Sequence, residues 1–69
     1  MTVAFVRETH VDLLPFPKKT ISRLKNLSVW YLEDIADLSA QELLRERGFG
    51  LGTVAAIDGH LQGAGLQFR

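Results

Sequence analysis

Two short apolar segments, Glu42-Leu43-Leu44 and Val54-Ala55-Ala56-Ile57, are separated by Arg47-Gly48-Phe49-Gly50-Leu51-Gly52-Thr53. This stretch constrains the fold more than any other. Its glycines reach positive φ without a Cβ penalty and let backbone approach another surface, so the flanking segments are predicted to be helices turned on each other. Such a turn also aims the N–H groups of the next helix start outward, where they suit an anion such as phosphate. A tight turn between packed helices uses the same pattern. No Gly-Lys-Ser/Thr follows the glycines, so the stretch is not a nucleotide P-loop.

A chain of 69 residues makes one small domain, near the lower limit for folding without staples. It has no cysteine, which removes disulfides and cysteine-ligated zinc. The core must then be aliphatic, and an apolar share of 46% with two prolines argues against disorder. No apolar run approaches the roughly 18 residues of a membrane helix, and the N-terminus lacks the pattern of a signal peptide. A soluble, cytoplasmic domain with no membrane association is expected.

Eight basic and eight acidic residues give zero net charge, unusual for a dedicated nucleic-acid binder. The charges are nevertheless segregated. Lys18, Lys19, Arg23 and Lys25 form a stretch without acids, and Glu33, Asp34, Asp37 and Glu42 follow without bases. A local basic patch of this kind can still find phosphate. Solvated helix faces of either sign produce the same pattern.

Residues 2 to 7 are β-branched and aromatic, and are expected to lie extended over the domain or to pair with a partner. Residues 1–12 are taken as an extended N-terminal segment and residues 13–69 as the helical domain. Pro15 and Pro17 favour extended backbone ahead of them, so no helix should begin before Pro17. Helix one is predicted over Lys18 to Asn26, with Ile21, Leu24 and Leu27 inward and Lys18, Ser22 and Lys25 outward. A connection through Ser28, Val29 and Trp30 leads to helix two, about Tyr31 to Asp37, whose Leu32, Ile35 and Leu38 face the core. Ser39-Ala40-Gln41-Glu42 is a capping-box pattern opening helix three, Ala40 to about Glu46, with Leu43 and Leu44 as core residues. Helix four is predicted from about Leu51 to Gln62, its apolar face formed by Val54, Ile57 and Leu61. Gly63 and Gly65 stop it, and Leu66 and Phe68 fold back on the core. The result is an all-α, compact domain of four to five short helices.

Helix four carries a second stripe: Gly52, Ala56, Gly59 and Gly63. A glycine inside a helix costs roughly 1 kcal/mol relative to alanine. Close approach of an internal neighbouring helix is the expected reason, with a partner as the alternative. His10 and His60 have no ligand companion at helical spacing, so no metal is expected. His60 is expected to face solvent. No nucleophile and base are paired, and a domain this small leaves little room for a pocket. An enzyme is not expected, nor are catalytic residues or a cofactor.

In the order of its elements the chain resembles the C-terminal domain of the bacterial RNA polymerase α subunit, over roughly residues 13 to 68. Leu14-Pro15-Phe16-Pro17-Lys18-Lys19 is similar to the family's lead-in, and Leu24 to Ile35 follows its leucine, turn, apolar-x-acid-apolar helix. Glu42-Leu43-Leu44 is similar to its third helix, and Gly50, Thr53, Ile57, Leu61, Gly65 and Leu66 match the last helix and closing turn. The resemblance implies a fold ending in a helix-hairpin-helix. It also implies minor-groove binding at A·T-rich DNA and contact with transcription proteins. The family's groove-reading arginine falls at Lys19, an asparagine at Ser22, and the base before the hairpin at Arg45. Arg47 stands at the family's hairpin proline and Gly52 at a lysine, while the hairpin glycine is kept at Gly50 and the hydroxyl at Thr53.

The expected DNA-binding set is therefore Lys19, Ser22, Arg23, Arg45, Arg47, Gly48, Gly50, Gly52 and Thr53. Binding carried by phosphate contacts would be weak, salt-sensitive and poorly sequence-selective. Phe49 is expected to plug the turn into the core. Two other readings stand beside this one. One is a protein-interaction module that has lost DNA binding, with Trp30 as an exposed contact residue; Trp30 in the core is its counterpart. The other is a purely structural domain excised from, or appended to, a larger protein.

Overall fold

A computed structural model of the chain describes residues 9 to 69. Residues 2 to 7, with their expected extended course, lie outside the described residues.

Five helical elements follow in order: a 3-10 turn at Val11–Leu13, then α1 (Lys18–Asn26), α2 (Leu32–Ile35), α3 (Ala40–Arg45) and α4 (Leu51–Gly63). No strand occurs among the described residues, and the all-α architecture agrees with the sequence reading. Each boundary has a local cause. α1 begins where Pro17 fixes φ at −57° and ends where Ser28 takes a positive φ of 62°. Val29 then donates back to the Leu24 carbonyl at 3.0 Å. Ser39 opens α3 as expected: its Oγ accepts from the Glu42 N–H, and the Glu42 carboxylate accepts from the Ser39 N–H, both at 3.1 Å. α4 runs one residue beyond the expected Gln62, through Gly63, and unwinds at Gly65, where φ is +75°.

α2 is shorter than expected. Tyr31 is its cap rather than its first residue, with its N–H donating to the Asp34 carboxylate at 3.2 Å. The chain after Ile35 tightens into turns closed by Asp37 N–H to Asp34 and Leu38 N–H to Ile35. Upstream of Pro17 the expected extended lead-in instead contains the 3-10 turn. His10 pairs in antiparallel fashion with Tyr31, the Val11 N–H donates to the Trp30 carbonyl, and the Leu32 N–H donates to the Thr9 carbonyl.

One core joins all of these elements. Val11, Leu24, Ile35, Leu43, Ile57 and Leu61 are fully buried, with Leu14, Val29, Leu32, Phe49 and Val54 nearly so. Ile21, Leu27, Leu38, Leu66 and Phe68 pack around them. Thr20, which the sequence reading left unassigned, is also buried. The closing segment returns as expected: the Leu66 N–H donates to Leu61, and the Arg69 N–H to Leu38.

Three further expectations are corrected. Leu44 is exposed, because a six-residue helix turns only one side to the core and Leu43 takes that position. His60 is half-buried, its ring edge-on to Phe16 at 5.1 Å, instead of facing solvent freely. Among the described residues, no helix packs closely against the glycine stripe of α4. A Cβ built at Gly52, Gly59 or Gly63 meets nothing within 4 Å, and Ala56, Gly59 and Gly63 line one side of an open groove whose other side includes Leu13, Leu14 and Pro15.

Candidate nucleic-acid interface

Lys18, Lys19 and Ser22 project from the outer side of α1, while Leu24 on the opposite side anchors the helix in the core. Together with Arg23 they line one shallow depression. A second depression adjoins it, lined by Arg23, Asn26, Leu27, Glu46, Arg47 and Phe49. Arg23 belongs to both, so one arginine side chain separates the depression on α1 from the one between α1 and the glycine turn. Contact is close. A Cβ built on Gly48 would fall 2.3–2.5 Å from Arg23 Nε, Cδ and Cζ.

The turn has the build its sequence implies. Gly48 sits at φ +94°, a conformation that L side chains rarely adopt. Phe49 follows as the buried plug, 4% exposed, with its N–H donating to the Glu46 carbonyl. Gly50 caps α4 without a side chain, and the first bond into the helix is Val54 N–H to the Gly50 carbonyl at 3.0 Å. The N–H groups of Leu51, Gly52 and Thr53 therefore have no intrahelical acceptor. α1 starts similarly: Pro17 offers no side-chain cap, and the first bond is Ile21 N–H to the Pro17 carbonyl at 3.1 Å. Neither helix has an acid in its first turn. Thus neither positive helix end is compensated by a side chain of its own first turn or cap.

The basic charges divide into two sets. Lys25 is occupied, its Nζ 2.7 Å from Asp12 Oδ1. That hydrogen bond is the main reason the Asp12 carboxyl titrates below its ordinary range, with the charge of Lys25 adding to it against the cost of desolvation. Lys18, Lys19, Arg23, Arg45 and Arg47 form no ion pair with the described residues. Arg69 is held by Glu42.

The expected site residues are therefore not all in one place. Lys19, Ser22, Arg23, Arg47 and Gly48 come together across the α1–turn junction. Arg45 is exposed in the last turn of α3 and lines neither depression, and Gly50, Gly52 and Thr53 form the start of α4 beyond the turn. Trp30 is 48% exposed on the connection between α1 and α2 and also lines neither depression. Sequence reasoning missed Asn26 and Glu46. Asn26 ends α1 on the stripe that meets the turn, and its i, i+3 spacing from Arg23 could have shown this. Glu46 places a negative charge at the edge of the basic surface.

Among the described residues no group of three His, Asp or Glu side chains could hold a metal ion, and no helix is long and apolar enough to cross a membrane. No family model and no curated protein matches the chain.

Proposed function

We propose that this domain is a transcription-related DNA-binding module, resembling the C-terminal domain of the bacterial RNA polymerase α subunit. It contacts backbone and minor groove through α1 and the glycine turn. The observation that carries this reading is the junction of Arg23 with Gly48. It sets the unpaired bases of α1 beside a turn that leads into an uncapped helix start. Lys18, Lys19 and Arg47 supply charge, and the first N–H groups of α4 supply donors for phosphate oxygens. Lys19 and Ser22 offer no planar fork for base edges, so affinity comes mainly from phosphate and sequence selectivity is low. An NMR titration with an A·T-rich duplex tests this. Shifts clustered at Lys19, Arg23 and Gly48 to Thr53 are expected, fading as salt rises; no shifts at low salt would sink the reading.

The exposure of Trp30 favours a second reading, a protein-interaction module of the same fold. Binding of a transcription protein at Trp30 predicts that the Trp30→Ala variant loses the partner while its free fold is retained. A variant that binds the partner normally removes Trp30 from the contact.

A further inference from the structure

Arg23 differs from the other bases of this surface. Lys18 and Lys19 are exposed, whereas Arg23 is half-buried, with its Nε, Cδ and Cζ against the Gly48 backbone. No described carboxylate pairs with it, so an ion pair is not what draws the side chain down. Its stem fills the gap between α1 and the turn, and the glycine at position 48 leaves the space it occupies. An arginine that reads a groove needs its planar fork projecting. Here the inner edge of the fork faces the protein's own backbone.

We infer that Arg23 is a positioning residue for the proposed DNA surface: its side chain braces the glycine turn against α1, and phosphate contact falls to Lys18, Lys19 and Arg47. The inference rests on the DNA reading for its second half only. The bracing is a property of the free protein. It accounts for a charged side chain lying along the Gly48 backbone, where Cδ with the inner guanidinium atoms Nε and Cζ adds packing to the hold that the Phe49 plug already gives the turn, and it makes packing, not charge, the part that matters.

Three variants separate these roles. Arg23→Met keeps an unbranched stem over Gly48 without charge, Arg23→Ala removes the stem, and Lys19→Met removes a contact charge. In the free protein, Arg23→Ala is expected to shift the amide resonances of Gly48, Phe49 and Gly50, while Arg23→Met leaves them close to wild type. On an A·T-rich duplex, Lys19→Met should lower the slope of log K against log salt by about 0.9, the value of one phosphate contact. Arg23→Met should keep the wild-type slope. A slope lowered as much by Arg23→Met as by Lys19→Met would make Arg23 a contact and overturn the inference. Unchanged amide shifts in Arg23→Ala would overturn the bracing itself. If the wild type binds no duplex at low salt, the DNA reading fails, and the bracing is decided by the free-protein shifts alone.

Discussion

Gly48 shows how a single position can serve two requirements. Its φ of +94° would strain any other residue, and the Arg23 side chain occupies the place of its Cβ. The arginine is flexible and can swing away, but the backbone angle cannot be relieved so cheaply. Gly48→Ala is expected to destabilise the domain by about 1–2 kcal/mol, read from urea unfolding. A cost near zero would mean that the turn relaxes to negative φ. Glu42 carries a different kind of information. The Ser39 N–H donating to its carboxylate is the largest cause of a lowered pKa, with the Ser39 hydroxyl and Arg69 contributing against desolvation. A carboxyl whose folded pKa lies below its unfolded value stabilises the fold above the unfolded value. That contribution disappears as pH falls through the folded one. The stability gap between wild type and Glu42→Gln should therefore narrow as pH drops from about 6 to about 3, through the carboxylate range. A gap that stays constant over that range would show that the charge on Glu42 is not the stabilising feature.

Among the elements, α1 and α3 were readable because their signals are local. Pro17 fixes the start of α1, and Ser39 with Glu42 writes the start of α3 into four consecutive residues. α2 was overextended because nothing in Leu32 to Asp37 announces that Asp34 will turn back on the Tyr31 N–H; that bond, once made, commits the first turn and leaves little helix beyond it. The 3-10 turn at Val11–Leu13 was missed for a related reason. It depends on pairing with Trp30 and Leu32, some twenty residues away, and no local pattern encodes that contact. The α4 stripe was misjudged in the opposite direction. Glycine in a helix suggests a close neighbour, yet Gly59 has open space around it and no positive φ. Gly59→Ala should accordingly raise stability by up to about 1 kcal/mol, with a melting temperature several degrees higher. Destabilisation would show that something does approach this face.

At the scale of the whole molecule, the candidate surface was legible as a list of residues but not as an arrangement. The basic run and the glycines are visible in the sequence; that Lys25 is taken by Asp12, and that Arg23 lies on Gly48, are facts of packing. The core is small, and its residues are shared by every element. At the usual 0.05–0.15 kcal/mol per residue, total stability is roughly 3–10 kcal/mol. Truncating a fully buried leucine costs about 2–5 kcal/mol. Leu24→Ala is thus expected to remove a large share of the stability, about 2–5 kcal/mol, seen as a lower urea midpoint by circular dichroism. A loss below about 1 kcal/mol would mean that the site collapses around the missing atoms. Leu24 is an apt probe because it supports the helix that carries Lys18, Lys19 and Arg23.

Both ends of the described chain are moored to the same short stretch. Thr9 accepts from Leu32 and donates to the Glu33 carboxylate, while Arg69 bonds to Leu38 and to Glu42. Thr9 and Arg69 are therefore both tied to the stretch from Leu32 to Glu42, that is, to α2, the turn after it and the start of α3. Residues 9–69, closed on one stretch in this way, form a body whose first and last described residues report on the same region, so a label at either one senses any opening of α2.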